Sequence, residues 1–232
     1  MASSTCEASD TSSPYVLKSQ ANSSHSIIMQ MLPENGNGLK LLDVGCADGY
    51  LSRLFAARGF RVIAIDAPAQ RQRELPDGIR FLEADLDHGL PAVEGRFDFV
   101  VCADILEHLR NPEVLLREIH SRMAPGAKLL ASLPNSGNIY FRLNVLFGKF
   151  PQDDRGLFDR THLHFYMWKG WQDLLIENGY KITNVRPSVI PFSLALPNQP
   201  GLANLLERLY YVAARAWRTL FAYQFVVVAE SV

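Results

Sequence analysis

The chain has 232 residues, with 23 Lys plus Arg against 24 Asp plus Glu and a formal charge of -1. That length suits a single large domain with a real core, and the even balance argues against a general nucleic-acid binder, which needs excess cations to neutralise phosphates. Three cysteines, Cys6, Cys46 and Cys102, form no C-x-x-C pair and are too few for a disulfide framework, which points to a reduced, cytoplasmic setting.

Residues 1–22 are rich in Ser, Thr and Ala and read as a disordered or loosely docked tail, leaving 23–232 as one domain. The opening MASSTCEASDTSSP has no basic n-region and no apolar h-region, and no run of about eighteen apolar residues offers a transmembrane segment. Ser23 or Ser24 is placed to cap a helix through Ile27, Ile28, Met31 and Leu32, ended by Pro33.

From Leu39 short apolar runs alternate with helix-like segments. Leu39–Val44, Arg61–Ile65, Ile79–Ala84, Phe97–Cys102 and Lys128–Leu133 read as strands covered on both faces. Tyr50–Arg58 and Pro112–Met123 have helical spacing, the second with Asn111 as cap and Pro125-Gly126 as stop. This repetition predicts an α/β fold, a Rossmann-like doubly wound and mostly parallel seven-stranded sheet with helices on both faces. Its ligand site belongs beyond the carboxyl ends of the first strands. After Pro134 comes an insertion, 134–167, then a helix Lys169–Asn178 and a strand Tyr180–Val185. An extra loop and helix over 188–220 follow, and Phe225–Ala229 reads as a last strand.

The most informative segment is Leu41-Leu42-Asp43-Val44-Gly45-Cys46-Ala47-Asp48-Gly49-Tyr50. It is a buried strand entering a Gly-bearing turn that opens a helix, which suits close approach of a ligand to backbone N–H groups. D-x-G-x-x-x-G without Lys matches neither the dinucleotide fingerprint nor the phosphate-binding P-loop. An Asp two residues before the first Gly suits a zwitterionic ligand better than a polyphosphate.

On these residues the chain resembles the class I S-adenosylmethionine-dependent methyltransferases at their motif I. More broadly it is similar to the type-11 and type-23 groups, including ubiquinone-biosynthesis-like O-methyltransferases. The resemblance implies S-adenosylmethionine as cofactor, with Asp43 and Gly45 beside its methionine moiety and Cys46 and Ala47 in the same turn. It also implies close backbone approach at Gly49, ribose hydroxyls at Asp66 and Ala67, and the adenine amino group near Asp85 and Leu86. Cys102 and Ala103 would pass beneath the sulfonium end.

The acceptor is less defined. An N/D-P-P-Y/F signature is absent after the fourth strand, which disfavours methylation of nucleobase amines and a DNA partner. In its place Asp104, Glu107 and His108 are spaced to share one helical face. The pattern resembles the E-x-x-E-H of ubiquinone-biosynthesis and small-RNA 2′-O-methyltransferases, where magnesium is implicated. The preferred reading has no metal there, with Glu107 and His108 capping the turn and lining the pocket. In Phe158-Asp159-Arg160-Thr161-His162-Leu163-His164, the alternating His162 and His164 share a face if extended. With His108 they are the candidate catalytic bases, packing being the other reading.

The insertion 134–167, aromatic and basic, reads as an acceptor-site lid or as a helix packed on the sheet. The helix over 202–220 has core-like spacing plus Arg208, Arg215 and Arg218, so it covers the sheet, touches a membrane surface or forms a homodimer contact. Residues 134–232 carry 10 Lys plus Arg against 7 acids, whereas 39–133 carry 12 against 14, so the acceptor side favours an anionic or lipid-linked small molecule. The expected function is methyl transfer from S-adenosylmethionine to such a molecule, with O-methylation favoured. A catalytically silent cofactor-binding module and an RNA 2′-O-methyltransferase are the alternatives.

Overall fold

The computed structural model of the chain describes residues 20, 22–67, 76, 78–190 and 192–232. Most of the expected tail, 1–19 and 21, lies outside the described residues. Asn22 is tied to the domain, its carbonyl accepting the backbone N–H of Val189 at 3.2 Å.

Among the described residues seven strands form one sheet in the order β3-β2-β1-β4-β5-β7-β6. β1 (Lys40–Val44), β2 (Arg61–Asp66), β3 (Ile79–Glu83), β4 (Phe97–Ala103) and β5 (Met123–Pro134) pair in parallel. β7 (Gln224–Ser231) inserts antiparallel between β5 and β6 (Tyr180–Pro187).

Successive strand residues face opposite ways, so each central strand feeds two cores and reads as an apolar run. Leu42, Val44, Val100, Cys102 and Leu129 meet Leu115, Leu116 and Ile119 of α3 (Pro112–Arg122) and Trp171 and Leu175 of α5 (Trp168–Glu177). Leu41, Val62, Val101, Leu130 and Val226 meet Ile27 and Ile28 of α1 (Ser24–Met31) and Leu51 and Phe55 of α2 (Tyr50–Ala57). The buried aromatics keep their polar atoms satisfied. Trp171 Nε1 donates to the Pro134 carbonyl at 2.7 Å, and the Tyr180 hydroxyl donates to that of Leu116 at 2.8 Å. Truncating such a Trp costs about 3–5 kcal/mol.

Of the two serines expected as caps, Ser23 caps α1, accepting the Ser26 N–H at 3.2 Å. Other expectations at element ends change. Asn111 precedes Pro112, yet its side chain makes no cap bond. α3 stops at Arg122 and the chain enters β5 directly, so Pro125-Gly126 lies inside a strand, where pairing with β4 shifts register between Phe97 and Phe99. Proline cannot donate to a ladder and is tolerated at such an irregularity.

The insertion contains α4 (Ile139–Leu146), whose Phe141 is buried with Leu157 and Phe158. The single helix expected over 202–220 is two, α7 (Pro200–Ala216) and α8 (Arg218–Phe221), broken at Trp217 and preceded by α6 (Phe192–Ala195). Its core-like spacing does not serve the core. α7 buries only Ala203 and Ala214 while its leucines at 202, 205 and 209 stay exposed. Among the described residues no helix is long and apolar enough to cross a membrane.

Candidate active site

β1 leads into a tight loop whose backbone turns left-handed at Gly45, Ala47 and Gly49. A Cβ on Gly45 would lie 2.8 Å from the Ile105 side chain, so glycine is required for space as well as for its φ of 76°. Ala47 has no such freedom and is held by Asp66 at the end of β2. One Asp66 oxygen accepts the Ala47 N–H at 2.6 Å and the other accepts the Ala67 N–H at 2.7 Å. Burial pushes the Asp66 carboxyl up, opposed by these two N–H groups.

Asp43 lies deeper, 1% exposed, where it accepts the Ser52 hydroxyl of α2. Burial pushes its carboxyl up to about 7, against the pull of Ser52 and with added repulsion from Asp66. Desolvation outweighs the hydrogen bond here.

The loop, the ends of β2 and β4, and the segments near 155–162, 188–189 and 223–224 enclose a cavity of about 630 Å³. Gly45, Ala47, Tyr50, Asp66 and Ala103 form one wall of it. Asp43, Cys46, Gly49 and Cys102 support that wall from behind without lining it. Cys46 and Cys102 are buried, and the Cys46 thiol donates to the Ala47 carbonyl at 3.6 Å. Asp85 and Leu86 do not line the cavity. Asp85 is 63% exposed and caps a short 3-10 turn, accepting the Asp87 N–H at 3.0 Å, while Leu86 is buried in the core.

A second wall carries Glu107, His108, Asp159, Thr161 and His162. His162 lies 3.9 Å from Glu107, with side chains 6% and 1% exposed, and the His108 and His162 rings meet edge to face at 4.8 Å. Thr161 gives its hydroxyl proton to Asp159 at 2.6 Å, so it can only accept from His108, 3.0 Å away. Its carbonyl, 3.3 Å from the same nitrogen, demands the same. His108 is therefore protonated on Nδ1, and Nε2 is the basic atom of the neutral ring. His164 does not join this wall. It lies 2.9 Å from the Leu109 carbonyl and stacks on Tyr166.

Asp104 departs from the expected trio. The 3-10 turn begins only at Leu106, and Asp104 is left-handed with φ 54°, which turns its carboxylate away from Glu107 and His108. It accepts Ser132 Oγ and, at 2.7 Å, Gln224 Nε2, and lies 4.0 Å from the buried His25 of α1. No motif marked His25, Ser132 or Gln224. A polar residue opening the apolar run of β7 was the one available signal.

Glu107, His108 and His162 bring one ligand atom each within 4.8 Å. One carboxylate and two imidazoles are a poor match for magnesium, which favours oxygen donors. Burial pushes the cavity phenol of Tyr223 up to about 12 and that of Tyr50 further, so both stay protonated at neutral pH.

A family model described as a methyltransferase domain matches residues 18–185. The chain belongs to that methyltransferase family. Ubiquinone biosynthesis O-methyltransferase of Azotobacter vinelandii is 32% identical over 120 residues, covering 49% of this chain and 52% of that protein. The enzyme of the same name from Xanthomonas euvesicatoria is 33% identical over 125 residues, 49% and 50% of the two chains. The chain thus matches about half the length of these curated relatives. An S-adenosylmethionine-dependent methyltransferase from Mesorhizobium loti shares the fold with a TM-score of 0.61 at 22% identity over 89% and 97% of the two chains. Magnesium protoporphyrin IX methyltransferase of Synechocystis, solved with bound SAH, shares it at 0.52 and 19% identity over 88% and 77%. The family assignment carries S-adenosylmethionine as methyl donor.

Proposed function

We propose that this methyltransferase transfers a methyl group to a hydroxyl oxygen of a small molecule, with His162 as base. The observation that carries the reading is the convergence of Glu107, His108 and His162 within 4.8 Å on the wall facing Gly45 and Asp66. The names of the curated relatives, O-methyltransferases, agree with it.

S-adenosylmethionine supplies a methyl on a sulfonium that is already a good leaving group. The protein has to hold the acceptor oxygen in line and remove its proton. His162 takes that proton, and Glu107 at 3.9 Å meets the resulting positive charge. His108, in ring contact with His162 and nearer solvent, is the group beside it that can relay the proton outward. Arg155, also on the wall, gives an acidic acceptor a counter-charge. The enclosed volume keeps bulk water from competing as acceptor.

The test is methyl transfer from labelled S-adenosylmethionine over a panel of phenols and enols beside matched amines. Turnover with hydroxyl acceptors that falls in His162→Ala supports the reading. Transfer only to amines, or turnover indifferent to that substitution, overturns it.

A further inference from the structure

Helix α7 is built with its apolar side outward. Its buried residues are Ala203 and Ala214, and beside them Glu207 reaches the cavity wall and accepts the Ser193 N–H at 3.1 Å. On the opposite side Leu202, Leu205, Leu209 and Val212 recur every three or four residues and so form one stripe. They are 44%, 53%, 60% and 66% exposed, and Trp217, 60% exposed, follows at the helix end. Single exposed leucines are ordinary, whereas a continuous stripe marks a surface that meets something.

The charges beside the stripe say what. Arg208 and Arg215, seven residues apart, stand on one edge of it, both exposed and in no ion pair among the described residues. Beyond that edge α7 and β6 leave a cleft of about 450 Å³ that includes Arg186, Tyr211, Arg215 and Arg218. Arg186 donates to Gln30 Oε1 at 2.8 Å and Arg218 lies over the Trp168 ring, so two of the three cations are held in place. The one acid of α7, Glu207, faces the cavity instead.

We infer that this face of α7 docks on an anionic bilayer, the stripe entering the headgroup boundary and the arginines meeting lipid phosphates. A second copy of the chain suits the surface less well. A two-fold contact sets a face against itself, and Arg208 and Arg215 would meet like charge with no acid on the stripe to answer them. Because Glu207 lines the cavity from the reverse side, docking sets the bilayer about one helix diameter, roughly 10 Å, from the acceptor site. The docking stands apart from the proposed reaction. Its consequence, an acceptor drawn from the membrane, rests on that reaction.

The experiment is co-sedimentation of the full chain with phosphatidylcholine vesicles, with and without phosphatidylglycerol. Binding is expected with phosphatidylglycerol and is weakened by added salt. It should fall at least about ten-fold in Leu205→Gln with Leu209→Gln, and Arg208→Gln with Arg215→Gln should erase the preference for phosphatidylglycerol. All these variants should melt near the parent temperature and bind S-adenosylmethionine unchanged by calorimetry. Absence of vesicle binding overturns the proposal, as does equal binding by the leucine variant. So does a dimer in sedimentation equilibrium that the leucine pair abolishes, or inorganic phosphate binding to the cleft without any binding to vesicles. Loss of S-adenosylmethionine binding in the parent chain would count against the methyltransferase reading alone.

Discussion

Asp66 holds Ala47: the carboxylate at the end of β2 accepts the backbone N–H at 2.6 Å and fixes a left-handed residue in the loop after β1. The same carboxylate lines the cavity, so it both holds the loop and offers an acceptor to whatever binds there. Asp66→Ala should weaken S-adenosylhomocysteine binding by about 10- to 100-fold, or roughly 1.4–3 kcal/mol, in calorimetry. Asp66→Asn keeps one oxygen acceptor and should fall between. Equal affinity in all three proteins would remove Asp66 from the cofactor site.

Gly45 and Ile105 are packed so that no side chain fits between them. Gly45→Ala should lower stability by about 2–4 kcal/mol, combining overpacking with an unfavourable φ. Adding Ile105→Ala relieves the contact but not the φ, so chemical denaturation should show partial rescue. A double variant no more stable than Gly45→Ala alone would mean that the contact is not what matters.

Asp43 makes stability fall as pH rises. Its folded-state value, about 7, lies well above the ordinary value of a free aspartate, so the unionised carboxyl is the form the fold favours. This contribution is fully present below about pH 4 and is lost as pH rises through about 7, on the order of 4 kcal/mol at most. Asp43→Asn, which retains an acceptor for Ser52, should flatten that part of the profile. Urea midpoints compared at about pH 5 and pH 8 measure it, and an unchanged slope would mean that Asp43 is not its source.

Removing the base should cost rate and spare cofactor binding. His162→Ala is expected to lower kcat by about 10²- to 10⁴-fold with S-adenosylmethionine affinity unchanged. A chelator should leave the parent turnover intact, because the Glu107, His108 and His162 set is read as proton-handling. Loss on chelation with recovery on adding a divalent cation would turn the cluster into a metal site.

The strands and the first loop were legible because both depend on local pattern. Runs buried on both faces bounded β1, β2 and β4 to within a residue, and a glycine at position 45 answers a steric demand written in one short segment. The rest depends on partners distant in the chain. Asp104 shares helical spacing with Glu107 and His108, but Ser132 and Gln224, 28 and 120 residues away, capture its carboxylate. His162 reaches Glu107 because the backbone N–H groups of Leu163 and His164 both donate to the Glu107 carbonyl, a pairing that periodicity does not encode. For α7 the apolar spacing left sheet cover, a membrane surface and a homodimer contact open, and the exposed stripe removes the first, since spacing gives a face and not what the face meets.

β7 bears on how the molecule comes together. It is last in chain order, yet it lies between β5 and β6, and its first residue, Gln224, carries part of the cavity wall. Until it inserts, β5 has an open edge and β6 has no neighbour, so a nascent chain ending before residue 224 has neither a closed sheet nor a complete pocket. Ligand capture during synthesis should therefore switch on abruptly once this strand is free to pair. Before then, the exposed edge of β5 is the place where a stalled chain would recruit the wrong strand.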